Sequence, residues 1–477
     1  MVTLAILLVL TGAGHATPPP EPPTAKPAPG FARQPAQELD VARLDRSGPI
    51  DARDLTEVAE IGAPTISPDG RRVIFRVARP DVDRNEVRFD WYIGDTAADA
   101  MAPVPVASGA ALFDGAGGLI EQFPIWDKDS RGVWFPLFRD GAVSLWHWRG
   151  GGPAAARITD EADIIGFTMS PDGRSISYQV GATRAEIAAA EQRIYNEGAL
   201  VDRHLDLTEP VAGGVIRGGK RIMQRLPGAW FDRARLLWNA PITEKLLILE
   251  DIGAKPSIKS ILSSAPVLQP TDFKSARSAT GDLAQIISQD DRRYVQVTRR
   301  GRVLRCTQRP CRSKQLTAIS WLPNGRALLL YEALGSGREQ LWLWPLEQKP
   351  RRFATTEGAQ RSPYRAPRCA VSDTALICSE SAPTRPPRLT RIGYADGTRQ
   401  ILLDPNADLA ERIRAVPRLM QWGPDVAGIL LTPDRRPPPY PLVVQYYSCA
   451  GFLKGGVGDE LPMLPLTESG IAVLCMQ

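Results

Sequence analysis

Acid–base chemistry in this chain has few histidines to draw on. The 477 residues include three His: His15, His147 and His204. His15 falls in an apolar amino-terminal leader, so a mechanism that needs an imidazole base has two candidates. His147 lies in the alternating run Leu145-Trp146-His147-Trp148-Arg149, where a strand histidine is expected to pack rather than react. His204 lies in the polar stretch Asp202-Arg203-His204-Leu205-Asp206, a position open to a substrate contact although none is expected. A histidine-rich metal site is excluded and no cofactor is indicated. The six Cys are better read as disulfides of an exported chain than as zinc ligands, because there is no CxxC pair and no nearby His. Cys306 and Cys311 flank a tight Thr-Gln-Arg-Pro turn. Cys369 and Cys378 bracket a strand, a Ser372-Asp373 turn and a second strand. Cys449 and Cys475 remain, and their pairing is open.

The elements that must position these groups begin after the leader. Leu4 to Leu10 is a short apolar run that leads to Gly14-His15-Ala16, the pattern of a secretory signal cleaved after Ala16. No Lys or Arg precedes it, so either the signal is weak or the true start lies upstream. The run is too short to span a bilayer, and no later segment is long enough. Residues 17–50 contain the Pro-rich tether Pro18 to Ala28, an extended and unpackable composition. Export to the periplasm is the expected destination, with no membrane span after signal removal. Lys+Arg 58 against Asp+Glu 53 leaves a net charge of +5, mostly Arg and spread along the chain. That reads as solvated surface rather than a nucleic-acid interface.

From 51 to 415 one short pattern recurs: apolar strand, tight turn, apolar strand. It appears as Ser67-Pro68-Asp69-Gly70-Arg71, as Ser170-Pro171-Asp172-Gly173-Arg174, and as Leu322-Pro323-Asn324-Gly325-Arg326. Looser copies occur at Asp127 to Arg131, at Ser288 to Arg292 and at Val371-Ser372-Asp373. Proline presets φ for the first turn position, and Asp or Asn before Gly supplies the conformations of a hairpin. Repetition every roughly 40 to 50 residues, with several short strands each time, is the signature of a β-propeller. About seven blades are expected. The 43 Pro, roughly twice the usual share, likewise argue against an all-helical chain. Thr183 to Gly198 breaks the β pattern: Thr183 and Glu186 form a capping box, alanines follow, and Gly198 stops the run. A helical insertion is expected near 183–198.

From 416 to 477 the pattern changes. Pro441-Leu442-Val443-Val444-Gln445 and Ile471-Ala472-Val473-Leu474-Cys475 are apolar runs without alternation, as in strands covered on both faces of an α/β sheet. The expected fold class is therefore mainly β: a propeller followed by the incomplete start of an α/β-hydrolase domain, in a chain that reads as carboxy-terminally truncated.

A propeller that continues into a Pro-Tyr-Pro-Leu-Val-Val strand resembles the prolyl oligopeptidase and dipeptidyl peptidase group of serine peptidases. Within that group the closer resemblance is to the lasso peptide isopeptidases. It is carried by Asp54 to Val77, Gly181 to Gly198, Arg225 to Leu237, and Tyr446 to Gln477, which includes Tyr446-Tyr447-Ser448-Cys449-Ala450-Gly451-Phe452. The resemblance implies hydrolysis of the isopeptide bond of a lasso peptide, with the propeller gating and binding that substrate. It implies a Ser-His-Asp triad with the serine at a G-x-S-x-G elbow. No such elbow is present. Leu334-Gly335-Ser336-Gly337 lacks the spacing, Tyr447-Ser448-Cys449 lacks both glycines, Glu468-Ser469-Gly470 lacks the first, and no His follows His204. The resemblance also implies that Tyr447, just after the Leu-Val-Val strand, donates a hydrogen bond to the oxyanion, a contact worth about 3 kcal/mol in the transition state. The chain as written is thus expected to be hydrolytically inactive. Two other readings stay open: a non-catalytic propeller that binds peptides or proteins, and a peptidase for linear peptides.

Overall fold

In a computed structural model, the described residues are 48–84, 86–97, 103–112, 119, 122–187, 189, 215–217, 220–222, 242–249, 257–260, 273–289, 292–335, 337–358, 369–422, 427–434, 436–445 and 462–476. The chain divides into units 1–35 and 36–477, and all described residues fall in the second. The leader, the tether, His204 and the greater part of the 183–198 insertion lie outside the described residues. Its start is visible: residues 184–187 are helical. Glu186 N donates to Thr183 Oγ1 (3.2 Å) and Thr183 N donates to Glu186 Oε2 (2.8 Å), the reciprocal capping box read from the sequence.

The fold is mainly β, built from antiparallel sheets taken up one after another along the chain. The first is eight-stranded. Its first half is Glu60–Ile66, Arg72–Asp81, Glu86–Asp95 and Val104–Ala110. Its second half is Ile125–Trp126, Val133–Arg139, Ala142–Trp148 and Ala155–Ile158, and the halves meet at one residue pair, Ala110 with Phe138. Four-stranded sheets follow. One joins Ala162–Met169 and Ser175–Thr183 to Thr243–Ile248 and Ser257–Ser260. The next runs Ser275–Arg277, Leu283–Gln289, Arg292–Arg299 and Arg302–Cys306. Then come Leu316–Trp321, Ala327–Gly335, Arg338–Pro345 and Arg351–Glu357, and after them Cys369–Val371, Ala375–Ala382, Arg385–Gly393 and Arg399–Leu403.

Hairpin chemistry explains the order within each sheet. Ser67 N donates to Arg72 O and Gly70 N to Ser67 O, each at 2.8 Å, with Gly70 at φ +73°. Ser170 and Gly173 repeat this closure at 2.9 Å, with Gly173 at φ +76°. A side chain at either glycine would be strained, which is why the motif demands Gly. The strands that flank the looser copy at 288–292, Leu283–Gln289 and Arg292–Arg299, are the second and third of their sheet. The equivalent first turn is Ser278 to Asp282: Ser278 N donates to Asp282 O, and Gly281 N to Ser278 O, with Gly281 at φ +88°. Its Ser-Ala-Thr-Gly-Asp sequence lacks the Pro and the Asp-Gly order, so it escapes a search for the motif.

Apolar clusters bridge neighbouring sheets. Ile74, Trp91 and Val106 of the first half pack on Trp126, Phe135 and Leu137 of the second. Trp134 and Leu145 pack on Ile164, Ile176 and Tyr178 of the following sheet. Val295 and Val297 meet Leu328 and Leu330, and Leu329 and Leu341 meet Leu376 and Ile392. Finally, Ile377, Leu389 and Leu402 of the sheet ending at Leu403 pack on Ile61, Val73 and Phe75 at the start of the chain. Each such side chain fully buried contributes about 1.5–3 kcal/mol. Indole hydrogen bonds reinforce the seams: Trp126 Nε1 donates to Thr65 O (3.0 Å) and Trp321 Nε1 to Ala276 O (3.1 Å).

The last sheet has a different topology. Its order is Val416–Gln421, Ala427–Thr432, Ala472–Met476, Leu442–Gln445, and the final pair is parallel. A parallel pair needs a crossover, and helix Met463–Glu468 precedes the incoming strand. The helix buries Leu464 against Ile429 and Leu431. Among the described residues, the sheet that begins at Val416 is the one that holds a parallel pair.

Candidate functional site

The predicted site residues are distributed unevenly over the described structure. Tyr447 and Cys449 lie outside it. The strand that leads to Tyr447, Leu442–Gln445, is present and pairs in parallel with Ala472–Met476. Cys306–Cys311 and Cys369–Cys378 are both disulfides, with Cα–Cα separations of 5.8 Å and 4.0 Å. Cys369 and Cys378 are register partners on adjacent strands, which is what brings them together. Cys475 is disulfide-bonded as well.

His147 is held by Asp127 and Trp134. Its Nε2 lies 2.9 Å from Asp127 Oδ2, and its ring stacks on Trp134 at 4.3 Å. Trp134 Nε1 in turn donates to Asp127 Oδ1 at 3.0 Å. A His–Asp pair has the outline of a general base, but no serine, cysteine or threonine hydrogen-bonds this imidazole among the described residues. A Cβ on Gly132 would fall 2.5 Å from His147 Nε2 and 2.2 Å from Asp127 Oδ2, so Gly132 is required for the packing. The group is a structural knot between strands Val133–Arg139 and Ala142–Trp148.

Charge converges elsewhere. Between the sheets that end at Glu357 and at Leu403 lies a pocket of about 300 Å³, lined by Thr355, Glu357, Arg385, Arg388 and Arg399. Arg385 Nη2 is 3.0 Å from Glu357 Oε2. Arg399 Nη2 is 3.4 Å from Oε1 of Glu380, which is 1% exposed, and it also donates to the Thr355 carbonyl. Arg388 makes no ion pair among the described residues, and its Nε is buried without a hydrogen-bond partner. Desolvation first, and repulsion from Arg385 second, hold its guanidinium below the usual arginine value. Glu380, and after it Asp404, act on Arg388 in the opposite sense, and burial raises the Asp404 carboxyl above its ordinary value. Among the described residues no His, Cys, Asp and Glu side chains group as three or more metal ligands.

None of these arginines was singled out by the sequence. Arg385 and Arg388 are three apart and would face opposite sides of a regular strand. A register shift between Glu380 and Ala382 breaks that alternation, and both line one pocket. The available signal was the segment Arg385-Pro386-Pro387-Arg388 itself, since two prolines inside a strand mark irregular pairing.

No family model matches the chain. It is 26% identical over 464 residues to lasso peptide isopeptidase AtxE2 of Asticcacaulis excentricus, an alignment that takes in 89% of this chain and 62% of the relative. Among solved structures it resembles an AtxE2 isopeptidase variant with Astexin3-dC4 bound, with a TM-score of 0.65 at 21% identity over 90% of this chain and 66% of that one. The apo form of AtxE2 isopeptidase gives a TM-score of 0.63 at 23% identity, again over 90% and 66%. The lasso peptide isopeptidase resemblance carried by the sequence segments thus has a homologue behind it, and the structures share its fold. The chain spans 62% of the length of the curated relative it matches.

Proposed function

We propose that this chain is the amino-terminal portion of an exported serine isopeptidase that opens the ring of a lasso peptide. Its sheets are blades of one propeller, about seven in all, that gates and binds the substrate. The sheet from Val416 onward begins the hydrolase domain. Tyr447 supplies an oxyanion donor, and the Ser-His-Asp triad belongs to sequence beyond Gln477. The leader directs the protein to the periplasm. The single observation that carries this reading is the alignment to a lasso peptide isopeptidase over 89% of the chain. The parallel strand pair after a series of antiparallel sheets supports the division between binding and hydrolytic parts.

In the proposed mechanism the serine would attack the isopeptide carbonyl, and His would carry its proton to the leaving amine. Tyr447 O–H would donate to the oxyanion as negative charge develops there. The test is to express both 1–477 and the product of the reading frame extended past Gln477. Each is incubated with a lasso peptide, and mass spectrometry is used to look for a ring-opened product heavier by one water. The extended protein is expected to give that product and 1–477 to give none. An extended protein that leaves lasso peptides intact while cleaving linear peptides would overturn the substrate. Turnover by 1–477 that a serine-directed inhibitor abolishes would overturn the assignment of the triad.

A further inference from the structure

We propose that the pocket around Arg388 is a carboxylate-binding subsite, taking a terminal or side-chain carboxylate of a peptide ligand. This rests on the reading of the chain as part of a peptidase and adds to it the chemistry of one contact.

The charge count favours a monoanion. Arg385, Arg388 and Arg399 line or enter one cavity, and the two paired acids are Glu357 and Glu380. Each of those carboxylates is ion-paired with another arginine, and Arg388 forms no ion pair among the described residues. Glu380 and Asp404 both act on Arg388 electrostatically, but neither forms an ion pair with it among the described residues. An unpaired, partly desolvated guanidinium is costly, and a bound carboxylate removes that cost by accepting two parallel N–H bonds. The planar fork of Arg suits a carboxylate better than a point charge would. The cavity, about 300 Å³, has room for a chain end or an acidic side chain.

Position agrees with such a role. The hairpin between Ala375–Ala382 and Arg385–Gly393 places Arg385 at one end of its sheet. Strand Arg399–Leu403 runs antiparallel to Arg385–Gly393, toward that same end, before the chain crosses to the final sheet. Arg385 thus lies at the end of the sheet at which the chain passes into the proposed hydrolytic part, while Arg399 starts its strand opposite Ile392, toward the other end, and its side chain reaches back to Glu380. Glu357, which closes strand Arg351–Glu357, contributes from the neighbouring sheet, so the pocket straddles a seam.

The experiment is calorimetric titration of 1–477 at low salt with three probes. These are an N-acetylated tripeptide with a free carboxyl terminus, its carboxyl-terminal amide, and an amidated tripeptide with one Glu side chain. At least one acid is expected to bind about tenfold or more tightly than the neutral amide. Whichever acid wins identifies a terminal or a side-chain carboxylate as the ligand. Arg388→Gln is expected to reduce the acid to the level of the amide, and Arg388→Lys to keep part of the preference. Equal binding of all three probes by the wild-type chain overturns the proposal without any variant. So does an Arg388→Gln protein that melts as the wild type does and keeps the preference, or inorganic phosphate that binds more tightly than either acid. The outcome separates from the proposed function. Loss of carboxylate preference with lasso peptide cleavage intact in the extended protein refutes the subsite alone. A preserved preference without cleavage refutes the isopeptidase alone.

Discussion

The side-chain amide of Asn406 pairs with both backbone groups of Ala59, 347 positions earlier: Oδ1 accepts from Ala59 N at 2.8 Å and Nδ2 donates to Ala59 O at 3.0 Å. Nδ2 also reaches Pro387 O at 2.9 Å. One buried residue thus fastens the entry strand of the first sheet to the exit of the sheet ending at Leu403. The apolar cluster of Ile61 and Phe75 with Ile377 and Leu389 packs the same seam. Closure of the series of sheets is a polar clasp over an apolar contact.

Asn406→Ala is expected to lower stability by about 2–3 kcal/mol, because it strands buried backbone groups of Ala59 that water cannot reach. Asn406→Asp keeps the shape but loses the donor, and is expected to cost nearly as much. Urea denaturation followed by tryptophan fluorescence measures both. A loss below about 0.5 kcal/mol for Ala would mean that the clasp is dispensable.

Arg412 makes a second long-range tie. Its Nη1 and Nη2 donate to the two carboxylate oxygens of Asp54 at 2.8 and 2.7 Å. Asp54 also forms a capping box with Asp51 at the start of helix Ala52–Thr56. Arg412→Ala removes a two-pronged partner from a buried carboxylate and is expected to destabilise by about 3 kcal/mol. Arg412→Lys, which keeps charge but not the fork, should recover only part of that loss. Thermal melting of both variants decides it.

The His147 knot is expected to matter for stability and not for chemistry. His147→Ala should cost about 1–2 kcal/mol through the lost stacking on Trp134 and the lost Asp127 contact. Ring opening by the extended protein should stay within about twofold of wild type, since kcat/KM reports the transition state and this imidazole is not in it. A fall of about a hundredfold with normal melting would place His147 in the reaction instead.

Turn carboxylates set an acid limit. The Ser170 hydroxyl, with the Arg174 N–H, holds Asp172 below the usual carboxylate value, and Thr398 does the same for Asp396. A carboxylate lowered on folding stabilises above its unfolded value, 3.8 for each. That contribution is lost as pH falls through the lower folded value. Asp172→Asn and Asp396→Asn are therefore expected to flatten the decline of melting temperature below pH 4. An unchanged acid slope in the double variant would refute this.

Disulfide closure should be measurable in the same way. Replacing Cys369 and Cys378 together by Ala is expected to cost about 2–3 kcal/mol, through the freedom restored to the unfolded chain. Thiol titration of the unfolded, non-reduced wild type should find Cys306, Cys311, Cys369 and Cys378 unreactive. Reactive thiols at these positions would contradict the pairing.

The residue types and local spacing were enough to settle what depends on neighbours in sequence. The Ser-Pro-Asp-Gly turns, the capping box at Thr183 and the two short-range disulfides follow from backbone preferences and reach over a few residues, so they are legible one segment at a time. The absence of a serine elbow and of any His after His204 is likewise a property of the string alone. The Ser278 to Asp282 turn escaped the motif, because the Ser278 hydroxyl, which accepts from Asp282 N, and Gly281 at positive φ close it without Pro or the Asp-Gly order. The tertiary structure alone decided which distant residues meet: Asn406 with Ala59, Arg412 with Asp54, and Arg388 with a pocket that leaves it unpaired. Those contacts arise from the register of strands in different sheets and from one shift of that register. The free energy that selects them comes from burying faces against each other. Sequence spacing carries no record of that pairing.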